Sequence, residues 1–575
     1  MSDIIQEQMS FEFETRTPIK GYPELHWTGK RPYKSTVYYP AQLNESYGQA
    51  KDGWLNKIYW GDNLQVMSHL LKDYRGKIDL IYIDPPFDSK ADYKKKIELK
   101  GKTVSNDQST FEEKQYGDIW TNDEYLQFMY ERLILCRELL SSNGSIFLHC
   151  DWHKSAHLRL LMDEIFGYDK LRNEIAWCYT GPGSPGMRQY NRKHDTILWY
   201  SKNSSWIFNA DKIRVESEVH QGGFKGEMGA AESSSYTEKG KIPEDWWEFA
   251  VAARIPVDGK KRMGYPTEKP EKLLNRIIEA SSNPGDIVFD CFMGSGTTQA
   301  VAMKLGRRFI GADINLGAIQ TTTKRLINVA RDLNSQIDGR DKYTGFEVYN
   351  VNNYDLFRNP VEARDLILQA MEVQPFESSN VYDGEKDGRM VKIMPVNRIA
   401  TKADLAGLLA NLPYKQFEKI KEENPSATVL KLTIVCMGHE PDLAGALREG
   451  LSNYKVDIEV VDILHDRADL QFKRDAEADI AIEDGKIVIK NFFPLNLMQK
   501  LSLDKETVEE WRQLVESVMI DFNYDGAVLQ PTVQDIPEKN GLVKGVYPIP
   551  QDAGTIRVKI TDVLSESLEV EVKNG

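Results

Sequence analysis

The chain has 575 residues, 41% of them hydrophobic and 28% charged. That composition supports several buried cores and excludes wholesale disorder; roughly 100–200 residues per domain suggests two to four domains. The net charge of −14 appears unfavourable for a nucleic-acid partner, but it is unevenly spread. Residues 341–575 hold 27 Lys+Arg against 41 Asp+Glu and account for all of it; residues 1–340 hold 46 of each. A neutral first part can still carry a basic groove, because phosphate contacts respond to local charge. No apolar run reaches the roughly 18 residues of a membrane span, and Met1 to Gln8 lack the basic-then-apolar pattern of a signal peptide. Cys136, Cys150, Cys178, Cys291 and Cys436 form no C-x-x-C pair, which excludes a disulfide framework or zinc knuckle and fits a reducing cytoplasm.

Residues 1–50 have no period and read as an N-terminal arm. Ile58-Tyr59-Trp60 reads as a strand and Gly61-Asp62 as a turn, before a helix with apolar positions Leu64, Met67 and Leu71. Ile78 to Ile83 is a near-continuous apolar run, expected of a strand buried on both faces, and it stops at Asp84-Pro85-Pro86-Phe87. The polar stretch 88–119 reads as a long loop. A helix over about 123–140, a strand at 145–149 and a helix over about 154–166 complete a parallel α/β pattern. Residues 181–262 break the alternation and read as an insertion. The pattern resumes with a helix from Pro270, the strand Ile287-Val288-Phe289, a Gly-rich turn, a strand at Phe309-Ile310-Gly311 and a helix over about 316–333. Beyond 340, strand-like runs at 429–437, 457–463 and 486–490 alternate with helices at about 441–450 and 505–520. Two β-patterned runs, 555–564 and 567–572, close the chain.

Two motifs carry chemistry. Asp84-Pro85-Pro86-Phe87 lies at the carboxyl end of a buried strand, where open α/β sheets bind ligands. The prolines stiffen the turn and leave carbonyls without neighbouring N–H groups. Asp84 and the Pro85 carbonyl can together accept hydrogen bonds from one exocyclic amine, and Phe87 offers a flat face to an extruded base. A plain proline-stiffened turn is the bland alternative. The second motif, Asp290-Cys291-Phe292-Met293-Gly294-Ser295-Gly296-Thr297-Thr298, joins a strand to a helix. Its glycines let a ligand approach the backbone, and the helix start offers free N–H groups. No Lys follows Gly296, which disfavours an ATP loop. Asp313, 23 residues after Asp290, stands where a carboxylate grips ribose hydroxyls.

Together these motifs resemble the β-class amino methyltransferases of DNA, the N4/N6 DNA methylase family, with the target motif ahead of the donor motif. Further family-like stretches are Asp151-x-His153 with Leu158 to Gly167, Asn173 to Trp177, His194 to Tyr200, and Thr267-Glu268-Lys269-Pro270. The resemblance covers about residues 51–335 and is closest to modification subunits of type III restriction systems and their stand-alone relatives. It implies a permuted fold: a mostly parallel seven-stranded sheet with helices on both faces, the strand at 309–313 beside the strand that precedes Gly61. The domains are then an arm, 1–50; a methyltransferase domain, 51–340, with a recognition insertion at 181–262; and an acidic C-terminal region, 341–575.

The resemblance also implies roles. Asp84, Pro85, Pro86 and Phe87 hold the flipped base. Phe292, Gly294, Gly296 and Thr297, with Asp290, hold the methionine end of S-adenosylmethionine; Asp313 binds its ribose, Asp62 lies near its adenine, and Thr267 and Lys269 line the same pocket. The implied activity is methylation of adenine N6 in duplex DNA within restriction-modification or phage defence in a prokaryotic cytoplasm, needing no metal. The alternatives are a cytosine-N4 enzyme, an RNA or protein-amide substrate, or a non-catalytic recognition subunit of a restriction complex. A homodimer or a helicase-nuclease partner would use the acidic region. His153 and His157, four apart beside Asp151, read as structural, as no third metal ligand is evident. Pro441-Asp442 and Asp484-Gly485-Lys486 only loosely echo a nuclease pattern, and Trp246-Trp247 reads as core or domain seam ahead of a stacking platform.

Overall fold

The computed structural model describes residues 10–14, 21, 23–86, 93–98, 110–116, 122–179, 188–216, 240–250, 268–336, 341–351, 364, 367–368, 371, 373–376, 381–394, 400, 402, 404–424, 427–436, 443–462, 476–495, 497–498, 501, 508, 510–538 and 541–572. Its centre is one large sheet. In chain order the elements are β1 (Ala41–Tyr47), β2 (Asn56–Trp60), α1 (Asn63–Tyr74), β3 (Ile78–Ile83), α2 (Asn122–Leu139), β4 (Leu140–Cys150), α3 (Ser155–Phe166), β5 (Leu171–Cys178), β6 (His194–Ser201), β7 (Trp246–Glu248), α4 (Glu271–Ser281), β8 (Ile287–Asp290), α5 (Thr297–Lys304), β9 (Arg308–Asp313), α6 (Leu316–Asn334) and β10 (Phe346–Val351).

The strands lie in the order β7-β5-β6-β4-β3-β8-β9-β2-β10-β1. Only β6 and β1 run against the rest. β9 pairs with β2, with Asp313 opposite Trp60, as the permuted order requires. Helices cover both faces. Within β3, Ile78, Ile81 and Ile83 join the core under α1, α2 and α3, whereas Leu80 and Tyr82 join the core under α4, α5 and α6. Burial on both sides explains why β3 has no polar alternation. Each such Leu or Ile contributes roughly 1.5–3 kcal/mol on burial.

Among the described residues the mostly parallel sheet thus carries ten strands where seven were expected, and four of the ten come from segments read as arm, insertion or C-terminal region. β1 lies within residues 1–50, and Ser10–Glu12 pairs there with Ser35–Val37. β10 lies beyond 340, and β6 and β7 fall inside 181–262. β6 is buried on both faces between β4 and β5, so the glycines around it mask a core strand. The stretch 88–119 holds an antiparallel pair, Tyr93–Glu98 with Thr110–Tyr116, where a loop was expected; strands dominated by Lys, Glu and Gln lack the apolar alternation that marks a half-buried pair.

Past the large sheet, Arg389–Ile393, Leu430–Cys436 and Val456–Asp462 form parallel neighbours, with α-helices Asp404–Ala410, Tyr414–Glu423 and Leu443–Gly450 connecting them around their own core. Two antiparallel sheets follow, one from Glu477–Glu483, Lys486–Phe493 and Val546–Pro548, the other from Val515–Asp521, Val533–Asp535, Ile556–Asp562 and Ser567–Val572. They share one core. The helix expected at 505–520 is replaced by a 3-10 turn at Trp511–Leu514 and the strand Val515–Asp521. Val515, Val518 and Ile520 are all buried, and tertiary burial overrides the helical spacing. Asp484 and Gly485, both at positive φ, make the two-residue hairpin turn between Glu477–Glu483 and Lys486–Phe493; Pro441-Asp442 lies outside the described residues.

Candidate active site

Both motifs emerge at one edge of the sheet. β3, β8, β9 and β2 are parallel, so Asp84, Asp290, Asp313 and Asp62 all lie at or just past carboxyl ends of strands. This edge is where a doubly wound sheet opens to a ligand.

On the donor side, the Asp290 carboxylate accepts from the Phe292 N–H at 3.0 Å and the Thr298 hydroxyl at 2.7 Å. Burial pushes its carboxyl up to about 7; those two hydrogen bonds pull against the rise, and the charges of Asp84 and Asp313 add to it. Asp313 accepts from the Gly294 N–H and the Asn315 N–H, each at 2.8 Å, tying the glycine turn to the end of β9. Gly294 has φ 53° and Gly296 φ 70°, a conformation that L side chains resist. A Cβ on Gly296 would meet Thr322 at 2.5 Å, while the Thr322 hydroxyl donates to the Gly294 carbonyl at 3.0 Å. Arg325 donates to the Thr297 hydroxyl at 3.0 Å and pairs with Glu268 and Glu271, joining α5 and α6 to the segment before α4.

Asp62 caps α1 by accepting from the Leu64 N–H at 2.9 Å and pairs with the buried Arg132 of α2, also at 2.9 Å. Asn63 donates to the Cys291 carbonyl at 3.0 Å, and Phe292 packs on Phe128, whose ring carries the Arg132 guanidinium 3.4 Å from its centroid. Arg132, Asn63 and Phe128 escape a sequence reading because helix packing alone brings them to the donor loop.

On the target side, Pro85 is buried and Pro86 half-buried; Phe87 lies outside the described residues, as does Thr267. Asp84 Oδ2 is ion-paired with Lys269. Lys269, expected in the donor pocket, therefore contacts the target motif. Asp84 Oδ1 is buried and has no hydrogen-bond partner among the described residues; His149 Nδ1 lies 3.9 Å from it. His149, fully buried at the end of β4, is held by the Tyr82 hydroxyl at 2.9 Å and by Asp195 of β6 at 3.2 Å. Burial would raise the Asp195 carboxyl, but His149, Lys269 and the Tyr179 hydroxyl at 3.1 Å together hold it below the usual value. His149 and Asp195 are 46 residues apart, and only strand pairing reveals their contact. Asp84 lies close enough to Asp290, and Lys269 to Asp195, for their charges to interact, and both motifs open at the same edge of the sheet.

His153 bonds Asp151 through its ring and backbone nitrogens. Among the described residues no group of three or more His, Cys, Asp or Glu side chains is arranged to hold a metal ion. The tryptophan pair is split: Trp247 joins the core at 7% exposure, whereas Trp246 is 57% exposed.

The family model for N6/N4 DNA methylases matches residues 78–324. The chain is 30% identical over 262 residues to the DNA adenine methyltransferase YhdJ of Escherichia coli (strain K12), covering 45% of this chain and 80% of that protein. It is 30% identical over 310 residues to the type II methyltransferase M.HpaI of Haemophilus parainfluenzae, covering 52% of this chain and 87% of the relative. Among solved structures, that of an M1.HpyAVI–SAM complex aligns with 47% of this chain and 98% of its own at 22% identity, with a TM-score of 0.31.

Proposed function

The chain belongs to the N6/N4 DNA methylase family, and from that premise we propose that it transfers a methyl group from S-adenosylmethionine to the N6 amine of adenine at specific sites in duplex DNA. The single observation that carries this reading is the buried Asp84 Oδ1, without a hydrogen-bond partner among the described residues, at the sheet edge that also holds the glycine turn that would seat the donor. A buried acceptor left unpaired costs roughly 1–3 kcal/mol, and a substrate amine would relieve that cost.

The donor, when bound, supplies a methyl already activated by its sulfonium. The protein's part is alignment and polarisation. Asp84 and the Pro85 carbonyl accept the two amine hydrogens and direct the nitrogen lone pair; Phe87 stacks on the extruded ring. Lys269 engages the other Asp84 oxygen and so orients the carboxylate. Phe292, Gly294, Gly296, Thr297 and Asp290 take the methionine end, Asp313 the ribose and Asp62 the adenine end.

Adenine is favoured over cytosine N4 by the aspartate form of the target motif and by the adenine-specific relative. The acidic surplus of residues 341–575 repels phosphate and suits protein contacts, a second copy or a restriction subunit, in a prokaryotic cytoplasm. The test incubates plasmid from a methylation-free host with the protein and labelled donor, then analyses the nucleosides by mass spectrometry. N6-methyladenine is expected. N4-methylcytosine would overturn the base assignment, and unmodified DNA would overturn the proposal.

A further inference from the structure

We propose that Trp152 and Arg192 form the surface on which the duplex rests beside the target nucleotide, with Arg192 on a backbone phosphate and Trp152 stacked on the base that extrusion deprives of its neighbour. This inference rests on the reading of DNA as substrate.

The argument begins with strand register. β4 and β6 pair antiparallel, with Ile197 opposite His149 and Thr196 opposite Cys150. Beyond that last pair β4 leaves the sheet at the edge that holds Asp84, while β6 stays paired with β5 as far as His194 opposite Cys178. One step inside it, His149 contacts Asp195 at 3.2 Å and approaches Asp84 Oδ1 at 3.9 Å. Just outside it, the Arg192 guanidinium lies 3.5 Å from the centre of the Trp152 ring. The stack thus stands at the same edge of the sheet as the target motif, Trp152 one strand away after β4 and Arg192 two strands away before β6.

Its surroundings match a nucleic-acid contact. Trp152 is 46% exposed and Tyr190 is 98% exposed. The run Arg188-Gln189-Tyr190-Asn191-Arg192-Lys193-His194 contains three basic residues and no carboxylate, and all but Lys193 are exposed. Cations interleaved with open aromatic faces bind phosphates and bases at once. The indole is also seated: the His153 ring packs against it with centroids 3.6 Å apart, and Asp151 fixes that imidazole. The indole faces carry Arg192 and His153, so a base that stacks in the gap left by a flipped nucleotide takes the place of the Arg192 guanidinium, which moves onto the adjoining phosphate.

The experiment measures methyl transfer to plasmid from a methylation-free host, equilibrium DNA binding across a salt series, and donor binding by calorimetry. Trp152→Ala should raise the KM for DNA about ten-fold, and Trp152→Phe should restore most of it. Arg192→Ala should lower the slope of log affinity against log salt by about one, and Arg192→Lys should keep it. Donor affinity should stay at the wild-type value in all four variants, which also verifies their folding. Wild-type DNA affinity, salt slope and KM in Trp152→Ala and Arg192→Ala would overturn this inference alone. A wild-type protein that leaves the plasmid unmethylated would overturn the underlying reading, and this inference with it.

Discussion

Asp290 is fully buried, and its carboxyl titrates near 7 because burial outweighs two hydrogen bonds. The unfolded chain would release that proton near 3.8, so between about 4 and 7 the folded state binds the extra proton. Stability from this group is therefore fully present below about 4 and is lost as pH rises through about 7, on the order of 4 kcal/mol in total. Chemical denaturation of wild type and Asp290→Asn from pH 4.5 to 8 should show the wild type losing stability relative to the variant as pH rises; parallel profiles would contradict a protonated Asp290. The identity of Asp290 was readable from its motif, and its proton affinity was not, because desolvation depends on what packs around it. The same holds for Asp84. Its position after an apolar strand was legible, but the division of labour between its two oxygens needed Lys269 and His149 from distant segments.

At the scale of elements, the turn from Gly294 to Thr297 shows how local chemistry and packing share one site. Left-handed φ angles at both glycines are visible in the G-S-G spelling; the wall behind Gly296 is Thr322 of α6, which no local pattern discloses. Gly296→Ala should combine a conformational cost of roughly 1–2 kcal/mol with a clash, and weaken donor binding at least about ten-fold by calorimetry. Adding Thr322→Ala should recover part of that loss; no recovery would mean the backbone angle alone carries the effect. β6 and the pair Tyr93–Glu98 with Thr110–Tyr116 were hidden from the sequence for opposite reasons. The first is an apolar strand among glycines and lysines, and the second is a polar pair whose register comes from chain-to-chain hydrogen bonds and not from hydrophobic spacing.

In the whole molecule, the acidic C-terminal part is physically joined to the sheet. Leu529 exchanges backbone hydrogen bonds with Asn44 and Ser46 of edge strand β1 at 2.9 and 3.0 Å, and Met519 and Leu529 enter the sheet's core beside Tyr47. Lys559 forms a buried ion pair with Glu45, which also accepts from the Tyr47 hydroxyl, and Lys324 of α6 pairs with Glu516. An exposed edge strand invites unwanted pairing; here the C-terminal sheets cover it. Lys559→Met would leave the Glu45 side chain buried without its cation, at a cost of about 3–5 kcal/mol. Thermal melts should fall accordingly, and Lys559→Met with Glu45→Gln should regain most of the loss. A Lys559→Met protein with the wild-type melting temperature would contradict this docking.

What the sequence determined by itself was whatever is encoded locally: apolar runs buried on both faces, a proline-stiffened acceptor, a glycine turn at a helix start, and the order of the two motifs along the chain. Those features follow from backbone stereochemistry and side-chain polarity within a dozen residues. What only the tertiary structure decided was everything set by distant segments meeting: ten strands in place of seven, Lys269 on Asp84, His149 against Asp195, and the C-terminal sheets closing the edge at β1. Such contacts arise from packing and desolvation between parts of the chain tens to hundreds of residues apart, and no residue spacing records them.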